Sequence, residues 1–224
     1  MIKSVCTLFL LIVLWPTSVV VADLQLSEIL NGVRGRYSQL PGLNLSYKRE
    51  IITRSMAMLG GSTEGDLATG KIYFKPPALL KVQQETPRPE TILTDGHILW
   101  WYIPHKSQVY RYSSHTLGKE VQLLSDIFQG LKAVEESFDV VLVGLDEKGE
   151  YQLKLIPNPP WAEIQNIMLS VSQKDYTVRK AEIYDSIGGI TRFILGDLSV
   201  KDKFPEGFFR FVIPEGVKVI EQEG

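Results

Sequence analysis

Hydrophobic positions along the chain recur with two different periods. Over residues 23–40, "DLQLSEILNGVRGRYSQL", Leu26, Ile29, Leu30, Val33 and Tyr37 return at the spacing of one helix face, with Asp23 placed to cap the start and Pro41-Gly42 to stop it. From there to about residue 112 the text changes to runs rich in β-branched and aromatic residues, "LNLSYKREIITRSMAML" (one long strand over 44–59), "DLATGKIYF" and "LLKVQQE", parted by Gly or Pro. Asp95-Gly96 predicts a hairpin turn leading into "ILWWYI". Residues 117–136 return to helical spacing: Leu117, Val121, Leu124, Phe128 and Leu131 form a stripe that Leu123, Ile127 and Val134 widen until little of the helix is polar. Strands then resume with "DVVLVGL", "YQLKLIP", "NIMLSVSQ", "VRKAEIYD", "TRFILGDLSV" and "FFRFVIP". This order predicts a mainly β chain with helices (α+β), with about eleven antiparallel strands in one curved sheet and a single domain over residues 23–224.

The alternation within several strands is wrong for a sheet with one wet face. "KIYF", "LWWYI", "NIMLS" and "FFRFVI" carry apolar side chains on both faces. Two helices cannot cover both faces of so long a sheet. An unclosed half-barrel with a greasy interior under a helical lid accounts for the surplus better, and its mouth would accept acyl chains.

The first residues have a different use. Lys3 precedes the apolar stretch "VCTLFLLIVLW", and "SVVVA" places Val20 and Ala22 where a signal peptidase reads, so residues 1–22 are expected to be a cleaved signal peptide with Asp23 the first mature residue. Pro16 interrupts a run already short for a membrane span. The sole cysteine, Cys6, lies in that segment, so the mature chain holds no thiol ligand or disulfide. The formal charge is −2, becoming −3 once Lys3 is removed, with no basic run; nucleic acid is not an expected partner.

Catalytic signals are absent. His97, His105 and His115 lack metal-ligand spacing, no G-x-S-x-G elbow occurs, and "LGGSTEG" at 59–65 lacks the Lys of a phosphate loop. Neither an enzyme nor a cofactor or metal site is expected.

Three segments resemble one family, the periplasmic outer-membrane lipoprotein carriers called LolA. "GKIYFKPPALLKV" at 70–82 is similar to its strand–"K-R-P"–strand segment. "ILTDGHILWWYIPHKSQV" resembles its "SDGKTLWxYxP" hairpin, and "FFRFVIPEGVKVI" at 208–220 resembles its F-x-F-x-x-P-x-G-V-x-V ending. The resemblance implies an unclosed barrel with a helical lid and a passive, monomeric carrier. Such a carrier takes acylated lipoproteins from an inner-membrane ABC-type exporter, crosses the periplasm, and delivers them to an outer-membrane acceptor or the outer membrane itself. The expected lipid lining is then Ile72, Phe74, Val82, Trp101, Ile167, Leu169, Val171, Ile183, Phe209 and Phe211 from the sheet, with Leu124, Ile127, Phe128 and Leu131 from the lid. Leu80 aligns with an aromatic that governs the encounter with the exporter, a partner contact that a core leucine would mimic. The family's lid-latching Arg is replaced by Pro76, which has no N–H to donate, leaving Lys75 as the first candidate latch. A related periplasmic lipid-binding sensor or regulator on the same half-barrel is the alternative.

Overall fold

The computed structural model describes residues 18–58, 66–113 and 119–222. Most of the expected leader, the Gly-rich tip at 59–65, His115 and Leu117 lie outside these residues. Helix α1, Ser18–Ser38, opens the described chain. Its apolar stripe is the one the spacing predicts, with Ile29, Leu30, Val33 and Tyr37 all at most 2% exposed.

Six strands follow in a meander: β1 (Leu43–Ile52), β2 (Asp66–Lys75), β3 (Leu79–Thr86), β4 (Glu90–Thr94), β5 (Ile98–Ile103) and β6 (Gln108–Ser113). The strand expected over 44–59 stops at Ile52. Thr53 then turns the chain into the short helix α2 (Arg54–Met58), its hydroxyl accepting from the Met56 N–H. Helix α3 (Lys119–Phe128) and a single turn, α4 (Val134–Ser137), come next. A second meander contains β7 (Phe138–Leu145), β8 (Tyr151–Pro157), β9 (Ile164–Val171), β10 (Val178–Asp185) and β11 (Ile190–Leu195). Two short strands close the chain, β12 (Ser199–Val200) and β13 (Lys218–Gln222).

All of them join one sheet in the order β13-β6-β5-β4-β3-β2-β1-β11-β10-β9-β8-β7, with β12 added beside β1. The path is unclosed, with β13 and β7 at its free ends. Among the described residues every pair is antiparallel except β13 with β6, which is parallel.

The expected helix over 117–136 is broken in two, and the break is built from the chain's own hydrogen bonds. Leu131 N–H reaches back to the Asp126 carbonyl at 2.8 Å and Gly130 N–H to that of Ile127 at 2.9 Å, with Gly130 at φ 78°. This pairing ends a helix on a left-handed residue, which glycine adopts without steric cost. The apolar spacing runs on past it, which is why the sequence reads as one helix.

Strand alternation sends one set of side chains inward. Leu43, Leu45 and Tyr47 on β1, Ile72 and Phe74 on β2, Leu80 and Val82 on β3, and their counterparts on β8 to β11 meet α1 and α3 in one core. The opposite face of β1, β10 and β11 is charged. Arg192 lies 2.9 Å from Glu50 and 2.6 Å from Glu182, and Lys48 and Lys180 extend the ladder.

Over β2 to β5 the outer face mixes aromatic and aliphatic side chains, Tyr73, Leu79, Leu93, Trp100 and Tyr102, with Lys71, Lys75 and Lys81. The segment 201–217 straps it. Phe208 meets Tyr73 edge-on at 5.0 Å beneath the Lys81 ammonium, and Phe211 stacks on Trp100 at 5.3 Å. The segment expected as the strand "FFRFVIP" is irregular chain, preceded by Pro205 and Gly207 and ended by Pro214.

Tyr37 ties α1 to the sheet. The Val178 N–H donates to its buried hydroxyl at 3.1 Å, and burial pushes the phenol pKa up to about 12. Tyr37→Phe strands that N–H and is expected to cost about 1–3 kcal/mol. The measurement is a lower urea midpoint at unchanged m-value; an unchanged midpoint would show that water or a shifted neighbour satisfies Val178.

Candidate functional site: the cavity beside the lid

Helix α3 lies across the inner face and is buried nearly all round. Leu124 and Phe128 point into the core, where Phe128 meets Tyr37 at 6.3 Å and Phe74 at 5.8 Å between ring centroids. The exposed Lys119 extends its ammonium 4.3 Å above the Trp161 ring.

Beside the N-terminal end of α3 the inner face stays open. A cavity of about 490 Å³ is bounded by Arg49, Ile92, Trp101, Tyr112, Val121 and Ile183, with Glu120, Glu163, Asp185 and Thr191 at its polar side. A second void of about 50 Å³ continues it inward past Tyr47, Val82, Leu124 and Phe193. A third, about 330 Å³, flanks the other side of α3 against Leu131, Phe138, Leu155 and Trp161. Spaces of roughly 300–1,000 Å³ with apolar walls and a few polar groups are typical of small-molecule sites.

The expected lipid-lining residues divide into three groups. Val82, Trp101, Leu124, Leu131 and Ile183 border open space. Ile72, Phe74, Ile127, Phe128, Ile167, Leu169 and Val171 face the same way but are packed solid, each at most 1% exposed. Phe209 and Phe211 are not on this face at all. They belong to the strap and line a groove on the outer side of the sheet, so their assignment to the cavity is corrected.

Two further expectations also change. Leu80 is fully buried at 0% exposure opposite Phe74, so it is a core leucine and not an exposed partner contact. Lys75 follows the inward Phe74 and therefore points outward, into the groove under the strap rather than toward α3. Pro76 is exposed in the turn beyond it. Neither is placed to latch the lid.

The polar groups that do touch α3 were not foreseen. Glu120 in its first turn accepts a hydrogen bond from Thr191 on β11 and lies near the Arg49 guanidinium on β1. Arg49 in turn reaches Gln84 on β3 at 3.5 Å, and the Trp101 indole N–H donates to Glu90 at 2.9 Å. An Arg inside a β1 run that otherwise alternates Leu, Leu, Tyr inward shows in the sequence only once the register of β1 is known.

Burial raises the Glu120 pKa above its usual value of 4.5, against the opposing pull of Arg49 and Thr191. The folded state then binds this proton more tightly than the unfolded chain. Its stabilising contribution is present below about pH 4.5 and is lost as pH rises through the folded value. Glu120→Gln is expected to remove that slope, so its melting temperature should change less than the parent's between about pH 4 and pH 8. Parallel curves for the two proteins would show that Glu120 titrates as in the unfolded chain.

Residues 59–212 match the family described as outer membrane lipoprotein carrier protein LolA. The chain belongs to the LolA family. The outer-membrane lipoprotein carrier protein of Nitrosospira multiformis is 25% identical over 156 residues, covering 69% of this chain and 73% of the relative. That of Hahella chejuensis is 28% identical over 155 residues, covering 69% and 72%. An uncharacterized conserved protein from Thermus thermophilus shares the fold with a TM-score of 0.56 at 13% identity, over 88% of this chain and 99% of that one. LolA carrier proteins bind and transport and are not enzymes. Among the described residues, no cluster of His, Cys, Asp and Glu could hold a metal.

Proposed function

We propose that this protein carries the acyl chains of lipoproteins through the periplasm, from an inner-membrane ABC-type exporter to an outer-membrane acceptor or to the outer membrane itself, as a monomer released from a signal peptide at residues 1–22. The observation that carries this reading is the seating of α3 over an apolar inner face beside a cavity of about 490 Å³. The lipoprotein carriers to which the chain is similar favour the same cargo.

The bound state requires α3 to lift. Chains would then lie where Leu124, Ile127, Phe128 and Leu131 now meet Ile72, Phe74, Ile167, Leu169 and Val171. Removing one acyl chain of about fourteen methylenes from water stabilises by roughly 11 kcal/mol at about 0.8 kcal/mol per methylene. Chains of that length cannot cross an aqueous space unaided, and a passive sheath that exchanges its own lid for the cargo offsets the cost without nucleotide.

Native mass spectrometry of the protein purified from its own periplasm tests the reading, followed by incubation of the loaded protein with outer-membrane vesicles. Acylated protein should copurify and pass to the vesicles. Cargo retained while the protein forms a stable complex with a membrane-protein ectodomain would support the sensor reading instead.

A further inference from the structure

Arg49 stands out on a face built for grease. It projects inward between Ala68 on β2 and Phe193 on β11, and it borders both the 490 Å³ cavity and the 50 Å³ void behind it. A guanidinium has five N–H donors. Here one of them makes a long bond to Gln84 at 3.5 Å, while Nε is buried and has no hydrogen-bond partner among the described residues. A buried donor without an acceptor is rare in a folded protein and calls for an explanation.

The charge around it is a separate matter. Glu120 on α3 and Glu90 on β4 both line the inner void with Arg49. Each is already engaged, Glu120 with Thr191 and Glu90 with the Trp101 indole. Glu163, Asp185 and Lys119 border the outer cavity. The guanidinium thus has spare donors but no spare positive field. A free carboxylate arriving here would meet two fixed carboxylates. A neutral carbonyl oxygen would meet donors alone.

We infer that Arg49 receives the carbonyl oxygen at the head of an acyl chain, in ester or amide linkage, and so holds the polar end of a neutral acyl group at the cavity while its methylenes run under α3. This rests on the lipid-carrier reading and adds to it the class of head group and the residue that reads it.

The test compares an ester-linked dipalmitoyl lipopeptide with its ether-linked counterpart, in which each carbonyl becomes a methylene, and with palmitate. Binding is measured by displacement of a fluorescent probe from the parent protein, Arg49→Met and Arg49→Lys. The parent should prefer ester over ether by at least about tenfold, the value of one hydrogen bond to a charged group. Arg49→Met should abolish that preference, and Arg49→Lys should keep part of it. Melting curves establish that each variant is folded; should Arg49→Met not fold, the comparison is made with Arg49→Lys. Equal binding of ester and ether by the parent, or a preference that survives in folded Arg49→Met, overturns the inference and leaves lipid binding intact. Palmitate held more tightly than the ester, and lost in Arg49→Met, overturns the neutral-head assignment. Failure of the parent to bind either lipopeptide sinks the carrier reading together with this one.

Discussion

Phe128→Ala is expected to melt about 6–20 °C below the parent protein. Phe128 is 1% exposed, and its ring joins α3 to α1 through Tyr37 and to β2 through Phe74. Truncating a buried Phe typically costs about 3–5 kcal/mol, part of it from lost transfer energy and part from the cavity left behind. At roughly 2–4 °C per kcal/mol for a domain of this size, that range gives the shift stated. The same cavity would lie under the lid, so an added lipopeptide should restore more stability to the variant than to the parent. A change of under about 2 °C would mean that α3 does not rest on the sheet in solution, and the description of a closed lid would fall with it.

Gly70→Ala should destabilise nearly as much without touching the lid. Gly70 sits at a register shift between β2 and β3, opposite Gln84. A Cβ there would come within 2.1 Å of the Gln83 carbonyl oxygen and 2.9 Å of the Gln84 Cα, both backbone atoms. Side chains can rotate away from an intruding methyl, but a paired strand can only separate. The cost therefore falls near the upper end of the overpacking range, about 3 kcal/mol, or a melting shift of roughly 6–12 °C. Gly35→Ala is the control. Nothing lies within 4 Å of a Cβ at Gly35 on α1, and replacing a mid-helix glycine by alanine should stabilise by up to about 1 kcal/mol. Equal melting of Gly70→Ala and the parent would show that the β2–β3 ladder yields at low cost.

Much of this fold was legible because periodicity reports burial, and burial is what the elements share. The stripe of Leu26, Ile29, Leu30, Val33 and Tyr37 could belong only to a helix with one buried face. The strands were legible as strands, but not which of their faces was inner. In "LWWYI" Trp100 stacks on Phe211 of the strap, while Trp101 borders the cavity on the lid side of the sheet. When both faces are apolar, alternation carries no sign. The strap itself was misread because aromatic density imitates a strand. Phe204, Phe208, Phe209 and Phe211 cover a sheet's outer face rather than extending it. Leu80 and Lys75 were misplaced for a simpler reason: Phe74, expected on the inner face, determines the parity of its whole hairpin, and the roles that the resemblance implies for these two residues disregard that parity. Arg49 was unreadable in the same way, since a lone cation in a strand ordinarily faces water.

The strand order carries a consequence for how the chain reaches this structure. Within β1 to β6, and again within β7 to β11, every neighbour in the sheet is also the neighbour in the chain, so each meander can form from short loops. Only the β1–β11 seam joins them, and it is long-range: Glu50 and Arg192, paired across it, are 142 residues apart. Closing so large a loop precedes any reward from the contacts it permits, which makes the seam the slow step of folding. Until it closes, each half presents its apolar inner face to solvent. The strap is long-range too, because Lys201 bonds to Gly42 at its start and β13 pairs with β6 at its end. A protein built to shelter exposed hydrocarbon thus passes through a period in which its own hydrocarbon is unsheltered.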